Sequence, residues 1–313
     1  MSKCEICGNK KGIKEYQVRE RQLNKGESFK YIYCPKCSTL QLAEEISDMA
    51  GYYGKNYYSF HFKSKRYSIP GIIVKPVLKL SSLGIWGKDI PRTLGRCANL
   101  SFSLYGTRTK FNDRILDVGA GNGFLASFLA KNGYRHITAI DLFCDKSPFH
   151  NIRFLNCEIC DLGDDESYDL IMFNSSFEHM KNPHEVFEKA RTLLSDRGTL
   201  LIKVPVISAM AWKKYGIFWY QIDAPRHYFL YSPKSMNYLC KMHGLKIYKV
   251  MHYSGEKQEF ISKCYKETQM SFSDALDAYS DLNFYEKIRW RRTARNLDRK
   301  GNGDTAWFYI RPN

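Results

Sequence analysis

Residues 114–124 read RILDVGAGNGF, and this stretch leaves the chain few folds to choose from. Its first half is an almost unbroken apolar run, the pattern of a strand buried on both faces. Its second half spaces glycines as G-x-G-x-G, which lets the backbone turn tightly into the helical pattern GNGFLASFLAKNG that ends at Gly133. A buried strand turning directly into a helix is half of a βαβ unit, so a parallel sheet with helices on both faces is expected.

The pattern then repeats. HITAID, IRFLNC, DLIMFN, TLLIKVP, LKIYKVMHYS and DTAWFYIRP read as six further strands, the last at residues 304–312. Between them, NPHEVFEKARTLLSDRG predicts a proline-started helix with Val186, Phe187, Ala190 and Leu194 on its apolar face, ending at Gly198. SPKSMNYLCKMHG predicts another with a Ser-Pro start. The expected fold class is α/β, a Rossmann-like sheet of seven strands over residues 111–313, with 255–303 as an insertion between strands six and seven. Ahead of it, STLQLAEEISDMAGYYG reads as mostly helical. Residues 43–110 read as a helical, basic connecting region, its short helices broken at Pro70, Pro76 and Pro91.

Charge is spread unevenly. The net charge is +16 over 313 residues, and residues 61–114 and 284–300 supply most of it. Concentrated basic charge predicts an anionic partner, and peripheral contact with an anionic membrane face is one form of it. With 44% hydrophobic and 26% charged residues, wholesale disorder is excluded. Pro70, Pro76, Lys75 and Lys79 interrupt the longest apolar run, so no spanning helix is expected. MSKCEICGNKKG has no apolar secretory core, and a cytoplasmic protein, peripheral at the inner membrane face, is the expected localisation.

Cys4, Cys7, Cys34 and Cys37 form C-x2-C-x26-C-x2-C. Two thiolate pairs on tight knuckles suit a tetrahedral zinc ion, and a closed four-sulfur site has no open position for chemistry. Residues 1–42 are therefore expected to form a small ribbon around structural Zn2+. Cys157 and Cys160 repeat the C-x2-C spacing with no second pair beside them, so no metal is expected there.

The G-x-G-x-G spacing counts against a nicotinamide or flavin cofactor. With AIDL ending the second strand, CDL the third, and NSSFEHMKNPHEVFEKARTLLSDRGTLLIKVP after the fourth, residues 111–254 and the terminal strand resemble the class I S-adenosylmethionine-dependent methyltransferases. The resemblance implies that Gly119, Gly121 and Gly123 pass under the methionine and ribose of S-adenosylmethionine, with Asp117 near its amino group. It implies that Asp141 takes the ribose hydroxyls, Asp161 the adenine amino group, and that Asn174 and Ser175 line the methionine side. Tyr57 or Tyr58 would cover the sulfonium, since aromatic faces attract cations.

The acceptor side rests on His179 in FEHM and His227 in QIDAPRHYFLYS, both expected at the carboxyl ends of strands four and five. The second stretch is similar to sugar C-methyltransferases with an N-terminal zinc module, whose His-Glu-His pattern here has Arg226 for the glutamate. It is also similar to methyltransferases of surface polysaccharide and lipid-glycan pathways. Lacking the carboxylate that would support carbon deprotonation, the arrangement implies O-methylation of a sugar or glycan, free or nucleotide- or lipid-linked. His227 would be the base, His179 a second candidate, and Arg226 and Tyr231 the acceptor-binding residues, Arg226 anchoring an anionic group.

Three alternatives remain open in the sequence: a zinc-ribbon methyltransferase of ribosomal or transfer RNA, a sugar C-methyltransferase, and a non-catalytic scaffold in a glycan assembly complex. Strand four ends NSSF, without the N/D-P-P-Y/F signature of base amino-group methylation, which makes nucleic acid the weaker partner.

Overall fold

The computed structural model of the chain describes residues 2–53, 71–84 and 104–313. Tyr57, Tyr58, Pro91 and most of the basic stretch between residues 61 and 110 lie outside the described residues.

The first strands form an antiparallel ladder: β1 (Lys14–Arg19), β2 (Ser28–Cys34) and β3 (Thr39–Leu42). Residues 39–42 were expected to begin a helix and instead form β3. All four are buried, Leu40 and Gln41 pairing on one side with β2 and on the other with β9 (Phe229–Leu230). A segment covered on both edges and both faces gains more as a strand than its helix-like polar tail gains as a helix. The four-stranded order β1-β2-β3-β9 therefore builds residues from far along the chain into the N-terminal sheet.

α1 (Gly71–Ser82) follows, and Pro76 lies inside it rather than breaking it. Val74, Leu78, Ser81 and Ser82 are buried, so tertiary packing carries the helix past a residue that removes one of its hydrogen bonds.

The large sheet contains β4 (Arg114–Val118), β5 (His136–Ile140), β6 (Arg153–Leu155), β7 (Tyr168–Asn174), β8 (Leu194–Pro205), β10 (Leu245–His252) and β11 (Thr305–Pro312). The seven expected strands are all present, in the order β10-β11-β8-β7-β4-β5-β6. β6, β5, β4, β7 and β8 run parallel, and β11 inserts antiparallel between β8 and β10. Alternate residues of each central strand serve opposite faces. Leu116, Val118, Ile171, Phe173, Ile202 and Val204 share one core with α3 (Pro183–Leu193), α5 (Pro233–Met242) and the cysteine knuckles. Ile115, Leu170, Met172 and Leu201 share the other with α1 and α2 (Phe124–Lys131).

α3 ends five residues earlier than its sequence pattern predicts. Leu194 is already extended and pairs with Tyr168, so the β8 ladder starts before Gly198. The Leu194 side chain folds over Gly198, where a Cβ would stand 2.7 Å from Leu194 Cδ1, and only glycine fits beneath it. α4 (Met210–Tyr215) lies in the connection after β8. The insertion holds α6 (Glu256–Glu267), α7 (Phe272–Asp281) and α8 (Phe284–Arg299), with Ile261, Cys264, Tyr265 and Ala275 forming a small core of their own. Among the described residues, no helix is long and apolar enough to cross a membrane.

Candidate functional site

The carboxyl ends of β4, β5, β7 and β8 meet at one edge of the sheet. After β4, Gly119, Gly121 and Gly123 all take positive φ, 69°, 57° and 79°, a path open mainly to glycine. Gly119 has a second reason to be glycine, because a Cβ there would lie 2.4 Å from the Ser176 Cβ. Ser176 Oγ donates to the Val118 oxygen at 2.5 Å and so pins the turn after β7 onto the turn after β4.

Two carboxylates stand at this turn. Asp141, at the end of β5, accepts from the Gly121 amide at 2.7 Å and the Phe143 amide at 2.9 Å, which fixes its orientation and leaves lone pairs on both oxygens. Asp117 is buried, and its Oδ2 has no hydrogen-bond partner among the described residues. Burial, with Asp141 nearby, lifts its carboxyl to about 7. An unpartnered buried carboxylate oxygen suits a cationic, hydroxyl-rich ligand, and S-adenosylmethionine is one. Asp161 is exposed on the short turn Ile159–Asp161, accepting from the Glu158 amide at 2.9 Å. Asn174 ends β7 opposite Lys203, and Ser175, at φ 58°, donates its amide to the Lys203 oxygen.

Beyond the turn, two segments bring the histidines together. Phe177–His179 is a single helical turn after β7, and residues 221–228 form a loop whose Tyr228 amide donates to the Glu178 oxygen at 2.8 Å. The rings of His179 and His227 lie 4.6 Å apart at 74°. His227 Nδ1 sits 2.8 Å from the Gln221 backbone oxygen, and His179 Nδ1 sits 2.9 Å from that of Arg226. A carbonyl only accepts, so each Nδ1 carries the proton and each Nε2 keeps its lone pair. Burial holds His179 down to about 3, with His227 adding to the effect, and burial also lowers His227. Both rings are neutral near pH 7.

Arg226 does not reach the mouth. Its side chain is buried: Nε donates to Asp223 Oδ2 at 3.0 Å, Nη1 to the Tyr52 oxygen at 3.1 Å, and Nη2 to Gln22 Oε1 at 3.1 Å. Nη2 also lies 3.5 Å from Glu20 Oε1 and bonds Asp223 Oδ1. Surrounded in this way, it is a clamp between the N-terminal sheet and the histidine loop, which corrects its expected role as an acceptor anchor. Tyr231 is likewise in the core, stacked on Phe177 at 4.9 Å and fully buried, so it does not line the acceptor side.

Residues that sequence reasoning passed over stand here instead. The Tyr53 hydroxyl lies 2.9 Å from His179 Nδ1, and its ring stacks on Phe143 at 5.0 Å, just after Asp141. The tyrosine-rich stretch from Tyr52 to Tyr58 pointed toward it. Glu178 is 1% exposed, its Oε2 without a hydrogen-bond partner among the described residues, and burial raises its carboxyl to about 8.

The four N-terminal cysteines form a separate cluster, buried and without disulfides. Cys4 and Cys37 sulfurs are 3.5 Å apart, and those of Cys7 and Cys34 3.6 Å. Four sulfurs around zinc at ~2.3 Å would be about 3.8 Å apart, so the cluster fits that ion. The hydrogen bond from Cys4 draws the Cys37 thiol down to about 5.

Comparison with known proteins gives the wider setting. A profile of the methyltransferase-domain family matches residues 88–250. A ubiquinone biosynthesis O-methyltransferase of Glaesserella parasuis is 29% identical over 111 residues, 31% of this chain and 47% of that protein. An (S)-tetrahydroprotoberberine N-methyltransferase of Eschscholzia californica is 25% identical over 129 residues, 37% of each chain. The chain thus spans less than half the length of these relatives. Among solved structures, a coclaurine N-methyltransferase bound to N-methylheliamine and S-adenosylhomocysteine is similar at a TM-score of 0.47 and 17% identity, over 79% of this chain and 80% of that one.

Proposed function

Because the chain belongs to the methyltransferase-domain family, we propose that it moves the methyl group of S-adenosylmethionine to a hydroxyl of a sugar or glycan acceptor. The cofactor supplies a methyl already activated on sulfonium sulfur. The chain's own task is to hold that methyl in line with the acceptor oxygen and to make the oxygen nucleophilic. Asp117 and Asp141 supply acceptors for the amino and hydroxyl groups of the cofactor, with Tyr53 and Phe143 stacked beside them. Asp161, Asn174 and Ser175 belong to the same pocket in this reading.

The observation that carries the acceptor reading is the His179–His227 pair: two neutral imidazoles 4.6 Å apart, each held through Nδ1 on a backbone carbonyl. Neutral imidazole nitrogens serve a hydroxyl well. Deprotonating carbon calls for a stronger, carboxylate-supported base; Asp223, 3.8 Å from His227 Nε2, is committed to Arg226, and burial raises the Glu178 carboxyl to about 8, so near pH 7 it lends an imidazole little negative charge. The sugar class is supported by the motif around His227. With Arg226 occupied, nothing at the pair requires the acceptor to be anionic. Basic charge is concentrated elsewhere, with Arg289, Arg292, Arg295 and Arg299 exposed on α8, and this supports peripheral contact with an anionic membrane carrying a lipid-linked acceptor. Zinc on Cys4, Cys7, Cys34 and Cys37 has a structural role in the same reading.

The experiment is transfer of labelled methyl from S-adenosylmethionine to nucleotide sugars, lipid-linked glycans and total RNA in parallel. Alkali-stable label in carbohydrate is expected. Label confined to RNA would overturn the proposal.

A further inference from the structure

Glu178, His179 and His227 have more in common than their place at the mouth. A carboxylate oxygen of Glu178 and one ring nitrogen from each histidine all lie within 4.8 Å of one another. Each histidine is oriented by an Nδ1 contact with a backbone carbonyl, His179 with Arg226 and His227 with Gln221. That is the usual support of an imidazole whose other nitrogen binds a metal, because it fixes both tautomer and ring plane. The carboxylate adds an independent sign. Glu178 is buried, and its Oε2 has no hydrogen-bond partner among the described residues, a position costly for a carboxylate unless a cation or donor fills it.

We propose that Glu178, His179 and His227 bind a divalent transition-metal ion, separate from the four-cysteine cluster, with open coordination positions facing the acceptor. Two imidazoles and a carboxylate suit ions from manganese to zinc. Ligand atoms about 2.1 Å from an octahedral ion stand roughly 3.0–4.2 Å from each other, so binding asks for a small inward closure of the three side chains. The four sulfurs close their own tetrahedron, whereas three protein ligands leave room for substrate oxygen. That the substrate oxygen is a sugar hydroxyl rests on the proposed function. Coordination makes such a hydroxyl acidic enough to give its proton to solvent water as the oxygen takes the methyl and the sulfonium leaves as thioether, the work an imidazole base would otherwise perform.

The test uses the full chain carrying a single zinc ion per molecule, retained by the four thiolates after mild chelation of weaker sites, and Mn2+ as the probe, since thiolates favour softer ions. Loss of the free Mn2+ electron paramagnetic resonance signal should report one tight site, and nitrogen modulation in the bound spectrum should show coordinated imidazole. Glu178→Gln and His227→Ala should each weaken binding about tenfold or more, while zinc content and unfolding midpoint stay near wild type. Absence of tight Mn2+ binding, absence of nitrogen modulation in the unmodified protein, or undiminished binding by Glu178→Gln would overturn the proposal. Methyl transfer to sugar that proceeds fully in Mn2+-free buffer, with no Mn2+ bound, would remove the cation and leave the acceptor reading standing. Bound Mn2+ with nitrogen modulation but no methylated sugar would keep the cation and remove that reading.

Discussion

Arg226 donates through Nη1 to the backbone oxygen of Tyr52, 3.1 Å away, and so ties the loop carrying His227 to the segment carrying Tyr53. The same guanidinium faces Asp223 and Glu20, both carboxylates removed from bulk solvent. Arg226→Ala leaves Asp223 without its guanidinium partner and Glu20 with backbone amides alone, and should lower the free energy of unfolding by about 3–5 kcal/mol, read by urea denaturation. Wild-type stability with only a raised acceptor KM would instead make Arg226 an acceptor contact.

If the imidazole serves the acceptor and not the cofactor, as proposed, His227→Ala should cut kcat by about 10²–10⁴ while S-adenosylhomocysteine binds as before. Single-turnover methyl transfer beside calorimetric cofactor titration separates the two effects. Full activity in this variant would remove the histidine pair from the reaction.

Asp141 holds the glycine turn through the amides of Gly121 and Phe143. In Asp141→Ala those amides lose their acceptor and, in the proposed reading, the cofactor loses a carboxylate. A loss of about 1–3 kcal/mol, or roughly 5- to 150-fold in cofactor Kd by calorimetry, is expected.

Asp304 gives a pH test away from the histidines. It is buried beside Trp219, and burial raises its carboxyl from 3.8 to about 7. Between pH 4 and 7 the unfolded carboxyl ionises while the folded one stays protonated, so its contribution to stability falls as pH rises through that window and levels off above it. Asp304→Asn should therefore gain stability relative to wild type on going from pH 5 to pH 8. Equal differences in urea midpoint at the two pH values would refute the burial argument.

Cys37→Ser should abolish zinc retention, measured by elemental analysis, and lower the unfolding midpoint. The loss should be large, on the scale of the ~10–16 kcal/mol with which structural zinc binds small peptides. A zinc-free wild type with an unchanged midpoint would leave the cysteines as ordinary core residues.

The large sheet was legible because local patterns carry it. Apolar strand runs and the glycine turn name their own structure within a dozen residues, and so do the two cysteine knuckles. What escaped depends on partners far away in the chain. An arginine beside a histidine reads equally well as a ligand anchor or a buried clamp, and Gln22, one of the groups that decides, is 204 positions off. Residues 39–42 became a strand because Phe229 and Leu230 cover their free edge. Tyr53 stands beside His179, a neighbour that spacing within a tyrosine-rich stretch does not single out. Glu178 lay in plain view next to His179, but its significance comes from a buried Oε2 without a hydrogen-bond partner among the described residues.

The two residues of β9 also set a timetable. The N-terminal sheet is complete only when Phe229 and Leu230 join Gln41 and Leu40, so an earlier part of the chain awaits one made about 190 residues later. At about 5–20 residues per second, that is a delay on the order of 10–40 s. During this interval the edge of β3 is unprotected, a ready template for pairing with another nascent chain. A zinc ion taken up early by the cysteine cluster would hold the β2–β3 knuckle together through this wait but leave the edge open until β9 arrives.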